Sequence, residues 1–271
     1  MLALSYLSII RFSDPDAGDF LHGQVSGDVL GLASGDSTFA CYCEPKGRVL
    51  ALMLVCRVDD CYYVIMSKAL VQTVIDRLKI YVMRSKVSIE ILDEFSVSGW
   101  QANELPQAPP SPIPAIALPG TAQWLVAASH DIASTTAVAL QDDWKTAELQ
   151  QGIVWLCPGT SGQFLPQMLG FDQLGAVNFR KGCYPGQEIV ARTHYMGKVK
   201  RHPRVLNVSA TLSPQALDSI QISGGGETYE AVVVDSGQRK DGNTTLFVVT
   251  RMDPDLVAEQ IEYQDQSEPV I

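Results

Sequence analysis

The amino-acid sequence predicts an α+β protein built on antiparallel sheets and ending in a small β-rich unit. Three observations point there. Strand-like runs of period two follow one another through the first third of the chain. One 3–4–3–4 apolar rhythm then interrupts them, and from about residue 205 onward only strands and turns are read.

In chain order, "SYLSIIRF" at 5–12 reads as a strand. "SDPDAGDFLH" follows as a helix start, with Asp14 as the N-cap candidate and Pro15 at the first helical position. "STFACYC" and "RVLALMLVCRV" are two strands joined by "EPKG", and "CYYVIMS" is a third beyond an Asp-Asp turn. Val71, Val74, Ile75, Leu78 and Val82 give an amphipathic helix, after which "KVSIEIL" restores period two. Six of the fifteen prolines fall within 106–119, which excludes regular structure there and marks a loop or lobe junction. "TAQWLVAA" is a strand, and "DDWKTAELQQG" a short helix stopped by Gly152. The tail holds "RVLNVSA", "TYEAVVVDSG" and "TTLFVVTRM", with Asp241-Gly242 as a hairpin signal.

Composition narrows the classes of function. The 271 residues carry 46% hydrophobic and 18% charged residues, an ordinary globular balance with enough chain for two or three small domains. A net charge of −10 argues against general binding to nucleic acid or anionic membrane, so an anionic partner must be met locally. No apolar run reaches about 18 residues, and the apolar start reads as a strand rather than a signal peptide. The six cysteines (41, 43, 56, 61, 157 and 183) show no CxxC spacing, and four lie inside apolar strands. A reducing, cytoplasmic compartment is expected. The four histidines are scattered, and no metal site is expected.

Residues 180–204 stand apart: they hold seven of the twenty Lys and Arg and one acid, Glu188. Pro185-Gly186-Gln187-Glu188 predicts a helix opening that runs to about Thr193, with Glu188 in its first turn. Cys183 then lies just ahead of a helix N-terminus beside Arg180 and Lys181, a setting that favours thiolate. Two readings stand for it, a reactive or ligand-binding thiol and a small residue filling a tight turn. The run Lys198, Lys200, Arg201 and Arg204 is either a local site for phosphate, carboxylate or RNA backbone, or a solvated strand edge. No aromatic interleaving of the RNA-recognition type is read beside it.

"KGCYPGQEIVAR" (181–192) resembles the signature of the YgfZ family, Lys-Gly-Cys-Tyr-x-Gly-Gln-Glu, without a break. "SGQFLPQMLGFDQLGAVNF" (161–179), "HGQVSGDV" (22–29), "KGRVLA" (46–51) and "RLKIYVMRSKVSI" (77–89) resemble other parts of that family in order. The resemblance implies the fold of the folate-dependent aminomethyltransferases of glycine cleavage, a multi-domain ring closed by a C-terminal small β-barrel. It implies tetrahydrofolate as cofactor, and as partners iron–sulfur enzymes, including those that modify tRNA. The family's functional cysteine maps to Cys183. Lys181 joins it as a catalytic candidate, with Tyr184, Gln187, Glu188, Arg192 and Arg48 as cofactor-binding candidates. Tyr184 is a candidate to stack on a ligand ring, and Arg192 to pair with Glu188 at i,i+4. On this reading 1–204 is a folate-binding body of two α+β lobes, the first formed by about 1–45 and 120–204 and the second by about 46–119. Residues 205–271 form the barrel. One departure is plain: where the transferases carry an acid pair, this chain has Ala51 and Leu52, which can neither take a proton nor stabilise a cation. A folate-linked transferase and an RNA- or protein-binding module are the alternatives to a folate-binding accessory protein, and whether the chain turns over a substrate stays open.

Overall fold

A computed structural model describes residues 2–101, 115–118, 123–129, 138–209, 212–264 and 266–271. Most of the proline-rich stretch lies outside the described residues.

The first sheet contains β2 (Leu7–Ser13), β3 (Ser37–Cys43), β4 (Val49–Val58), β5 (Cys61–Ser67) and β6 (Ser88–Ile91). Its order is β3-β4-β5-β2-β6, with every pair antiparallel. Along β4, Val49 to Cys56 are all buried, because this inner strand is covered on both faces, and so it reads as a continuous apolar run. Helix α1 (Ala17–Gln24) follows β2, and α2 (Val71–Val82) follows β5 and buries Val71, Val74, Ile75 and Leu78, the predicted stripe. The start of α1 differs from expectation. Asp14 takes a left-handed φ of 77°, Pro15 stays outside, and Asp16 is the N-cap, its carboxylate taken by the Lys86 backbone N–H at 2.7 Å.

A second sheet, in the order β1-β7-β9-β8, joins β1 (Leu2–Ala3), β7 (Phe95–Gln101), β8 (Ile116–Ala117) and β9 (Gln123–Ser129). Strand β7 escaped the sequence reading because Gly99 interrupts it. A Cβ there would lie 2.8 Å from the ring of Trp144 on α3 (Val138–Gln150), so the glycine lets the indole lie on the strand backbone.

The third sheet, β10-β13-β12-β11-β14-β15, is antiparallel throughout. Its strands are β10 (His202–Val208), β11 (Ser219–Gly224), β12 (Glu227–Gln238), β13 (Thr244–Thr250), β14 (Gln260–Tyr263) and β15 (Gln266–Pro269). The Asp241-Gly242 hairpin forms as expected, Gly242 at φ 85°. Every residue of β13 is buried. Leu246 and Val248 enter a core of their own with Leu206, Ile220 and Ile222, whereas Phe247 and Val249 face the main core. Period-two alternation thus serves two cores from one strand. Where a barrel is expected, the described residues show this six-stranded antiparallel sheet and no strand pair that closes it. One backbone bond, from Ile271 N–H to Asn207 O at 2.8 Å, ties the last residue to β10. No helix among the described residues is long and apolar enough to cross a membrane.

Candidate functional site: the cysteine turn and a polar cavity

The cysteine motif forms a turn fixed from both sides. Ahead of it, Asn178 N–H donates to Ser26 O, and the Asn178 Oδ1 accepts the backbone N–H groups of Arg180 and Lys181 at 2.8 and 3.1 Å. Lys181 turns inward: its ammonium donates to the carbonyl oxygens of His22 and Val25. These are carbonyls at the C-terminal end of α1, where the helix dipole favours a cation. Its Nζ also lies 5.2 Å from the centroid of the Tyr184 ring. Burial pushes the Lys181 amine down to about 8, and Asp28 opposes that shift. The expectation that the lysine charge faces the Cys183 thiol is therefore corrected, since helix α1 holds that charge.

Tyr184 is buried rather than presented to solvent, and burial, then the neighbouring Cys43 and Cys41, raise its hydroxyl well above the usual range. Gly182 and Cys183 are exposed, with nothing near the position of a Gly182 side chain, and all six cysteines are free.

Beyond the thiol, Gly186 takes φ 84° as the N-cap of α4 (Gln187–Met196), so Pro185 stands outside the helix and not at its first position. A Cβ on Gly186 would overlap Glu44 O and lie 2.7 Å from Gly47 Cα. One on Gly47, at φ 77°, would lie 3.0 Å from Ile189 Cβ. The two motifs "KGRVLA" and "KGCYPGQE", far apart in the chain, thus meet backbone to backbone, and each needs its glycine for the approach and for the left-handed φ. Gln187 Nε2 donates to Lys181 O at 3.4 Å, and Gln167 Nε2 to Val190 O at 2.8 Å. Arg48 Nη1 donates to Gly162 O at 3.3 Å. Glu188 and Arg192 are both exposed, and no ion pair joins them, contrary to the i,i+4 expectation. Two free side chains in water gain little by pairing.

The basic run divides. Lys198 and Lys200 are exposed and Arg201 is half-exposed. Arg204 points inward and donates to the carbonyls of Asp253 and Leu256, so it is a tie between β10 and the loop after β13 rather than a free surface cation.

Sequence reasoning missed a second place. A cavity of about 590 Å³ opens where the first sheet, α3 and β12 meet. Tyr6, Ser67, Lys145, Trp155, Cys157 and Asp235 are among its lining residues. Lys145 and Asp235 form an ion pair of 2.6 Å across it. Behind the wall lies Glu148, fully buried. Its Oε2 accepts the Tyr6 hydroxyl at 2.7 Å, and its Oε1 accepts the indole N–H groups of Trp144 at 3.1 Å and Trp155 at 3.0 Å. Burial lifts this carboxyl to about 7 against the pull of all three donors. The available signal was a glutamate on the buried face of α3 four residues after a tryptophan. It named neither Tyr6 nor Trp155.

No protein-family model matches the chain. The tRNA-modifying protein YgfZ of Klebsiella pneumoniae (strain 342) is 28% identical over 88% of this chain and 82% of its own length. That of Colwellia psychrerythraea is 28% identical over 98% of this chain and 90% of its own. Among solved structures, the glycine cleavage system aminomethyltransferase T from Bartonella henselae superposes with a TM-score of 0.72. That superposition covers 99% of this chain and 83% of that one at 12% identity, and it establishes an aminomethyltransferase-like fold. Over most of its length the chain is similar in sequence to the YgfZ proteins, and in fold to an aminomethyltransferase T.

Proposed function

We propose that this protein acts in tRNA modification as a folate-holding accessory to iron–sulfur enzymes, with Cys183 as its working thiol. One observation carries the reading. The unbroken motif builds a turn in which Lys181, Tyr184 and Gly186 are spent on holding shape, while the Cys183 thiol stands exposed to solvent. Structural positions are buried and bonded; a thiol kept at the apex of so constrained a turn is presented for chemistry. The relatives named as tRNA-modifying proteins support the setting.

The cavity supports the folate reading. Its volume lies in the range of small-molecule sites, about 300–1,000 Å³. Tyr6 and Trp155 offer apolar ring faces, and the Lys145–Asp235 pair offers a cation for a carboxylate and an acceptor for a pterin amine. Bound tetrahydrofolate would accept a one-carbon unit, and its methylene-loaded form would supply one. Ala51 and Leu52 are buried in β4 and contribute no acid, which favours holding over transfer. Of the cofactor-binding candidates, Gln187 and Arg48 are tied to the carbonyls of Lys181 and Gly162, Glu188 and Arg192 are exposed, and none of the four lines this cavity; Lys181 acts as a positioning residue. We also divide the chain as 1–204 and 205–271, the latter as the small barrel, and place it in a reducing cytoplasm, on the buried free thiols of Cys41, Cys43 and Cys56.

Two measurements test this. Calorimetric titration with tetrahydrofolate, anaerobic and reducing, is expected to give saturable one-to-one binding that Lys145→Ala weakens. In cells lacking the protein, thiolated tRNA nucleosides should fall, and the wild type but not Cys183→Ser should restore them. Unchanged nucleosides, or full rescue by Cys183→Ser, would overturn the reading.

A further inference from the structure

The positive charge of residues 180–204 does not surround the thiol evenly. Lys181 and Arg204 point inward, which leaves Arg180, Arg192, Lys198 and Lys200 exposed. None of the four takes part in an ion pair among the described residues. They gather around the C-terminal half of α4. Arg192 and Tyr195 are one turn apart on that helix, Lys198 and Lys200 follow it, and Arg180 adjoins Phe179.

Phe179 fixes the centre of this surface. One side of its ring packs on the main core. The other carries His194, stacked at 3.8 Å between centroids with an interplanar angle of 15°. Tyr195 stands edge-on to both rings, 4.8 Å from His194 and 6.1 Å from Phe179, and is 66% exposed. A solvent-facing aromatic that is held by two other rings keeps its orientation without a ligand. The chain shows no aromatic interleaving in sequence, but the fold brings Phe179 onto the adjacent pair His194 and Tyr195, and the three rings meet beside the basic residues.

We propose that this face, Tyr195 and His194 ringed by Arg180, Arg192, Lys198 and Lys200, binds a single-stranded loop of RNA. Unpaired bases stack on exposed rings, and phosphates pair with unbound Lys and Arg. The rest of the molecule explains the confinement. A chain of net charge −10 repels a polyanion generally, so RNA is met where basic side chains lack acidic partners. Glu188 is the one acid within the segment, and it leaves the face positive. The inference rests on the tRNA reading above and deepens it, setting Cys183 at the border of an RNA contact rather than of a protein interface.

The test is fluorescence anisotropy of a labelled RNA stem-loop against the whole protein, with salt varied. Wild type should bind with a steep salt dependence. Arg192→Glu should weaken binding at least tenfold, and loss of that phosphate contact should flatten the log–log salt slope by about 0.7. Tyr195→Ala should weaken it roughly tenfold with the slope unchanged, because stacking is not counterion release. Lys240→Glu, the same charge change on the far hairpin, should leave binding as it was, and melting curves confirm that each variant folds. Equal binding by all variants, or no RNA binding by the wild type, overturns the proposal. So does a saturable protein partner on this face that RNA fails to displace. The nucleoside profile of cells lacking the protein separates the two failures: a lost modification without RNA binding removes this face and leaves the tRNA reading standing.

Discussion

Lys181 and Glu148 are both drawn out of water in this molecule, and they are held in opposite ways. The Lys181 ammonium rests on backbone carbonyls at the end of α1. The Glu148 carboxylate rests on three side chains: Tyr6 before β2, Trp144 on α3, and Trp155 beyond it. A helix end offers carbonyls wherever it ends, so one lysine in a neighbouring turn completes the first arrangement. The second exists only if three single residues converge. A motif can announce the first; nothing local announces the second.

The comparison is broken most forcefully at the glycine that fixes the cysteine turn. Gly186→Val forces a β-branched residue to φ 84° and drives its side chain into Glu44 and Gly47. Strain and overpacking together should cost about 4 kcal/mol in urea unfolding. Gly182→Ala, in the same turn but with open space around it, should stay within about 0.5 kcal/mol. Equal effects at the two glycines would show that the turn is not pinned to the β3–β4 loop. In the other region, Glu148→Ala strands one hydroxyl and two indole N–H groups in the core, and a loss of about 3 kcal/mol is expected.

Titration sharpens the contrast, because the two groups act with opposite sign. The folded Glu148 carboxyl lies near 7 against an ordinary 4.5, so the native state binds more protons than the unfolded state between these values. Its contribution is present below about pH 4.5 and is lost as pH rises through about 7, a fall of about 3 kcal/mol. The Lys181 amine is lowered from 10.5 to about 8, so the unfolded state binds more protons there and stability rises from about pH 8 to 10.5. The Lys181 gain is smaller, on the order of 1 kcal/mol once solvent screening of a half-exposed group is counted. Stability measured against pH should therefore dip between the two windows. Glu148→Gln should remove the lower limb, and Lys181→Met the upper. A limb that survives its own substitution belongs to another group.

Much of this architecture was legible for identifiable reasons. Strands β2 to β5, α2 and β13 carry strong periodicity, or the unbroken apolar run that a doubly covered strand requires. Strand β7 was hidden because Gly99 weakens its pattern for the sake of Trp144, a residue on a later helix. In the site, Gly186 sits at a left-handed φ against Glu44 and Gly47 while Gly182 has open space, and both this difference and the direction of Lys181 depended on which elements pack against the turn. The cavity stayed invisible, since Tyr6, Lys145, Trp155 and Asp235 share no pattern.

The smallest expected effect on stability discriminates most between the regions. Cys183 is exposed and makes no bond, so Cys183→Ser should change stability by less than about 0.5 kcal/mol. Cys43, fully buried at the end of β3, is the control: a hydroxyl there lacks the sulfur's tolerance of an apolar setting, and Cys43→Ser should cost about 2 kcal/mol. Nucleoside analysis of the complemented cells then reads the reverse order. Cys43→Ser, once folded, should sustain tRNA modification, and Cys183→Ser should not. If Cys183→Ser instead unfolds the protein, the thiol fills the turn and the motif is a device for folding. If it folds and fails, the turn exists to present sulfur.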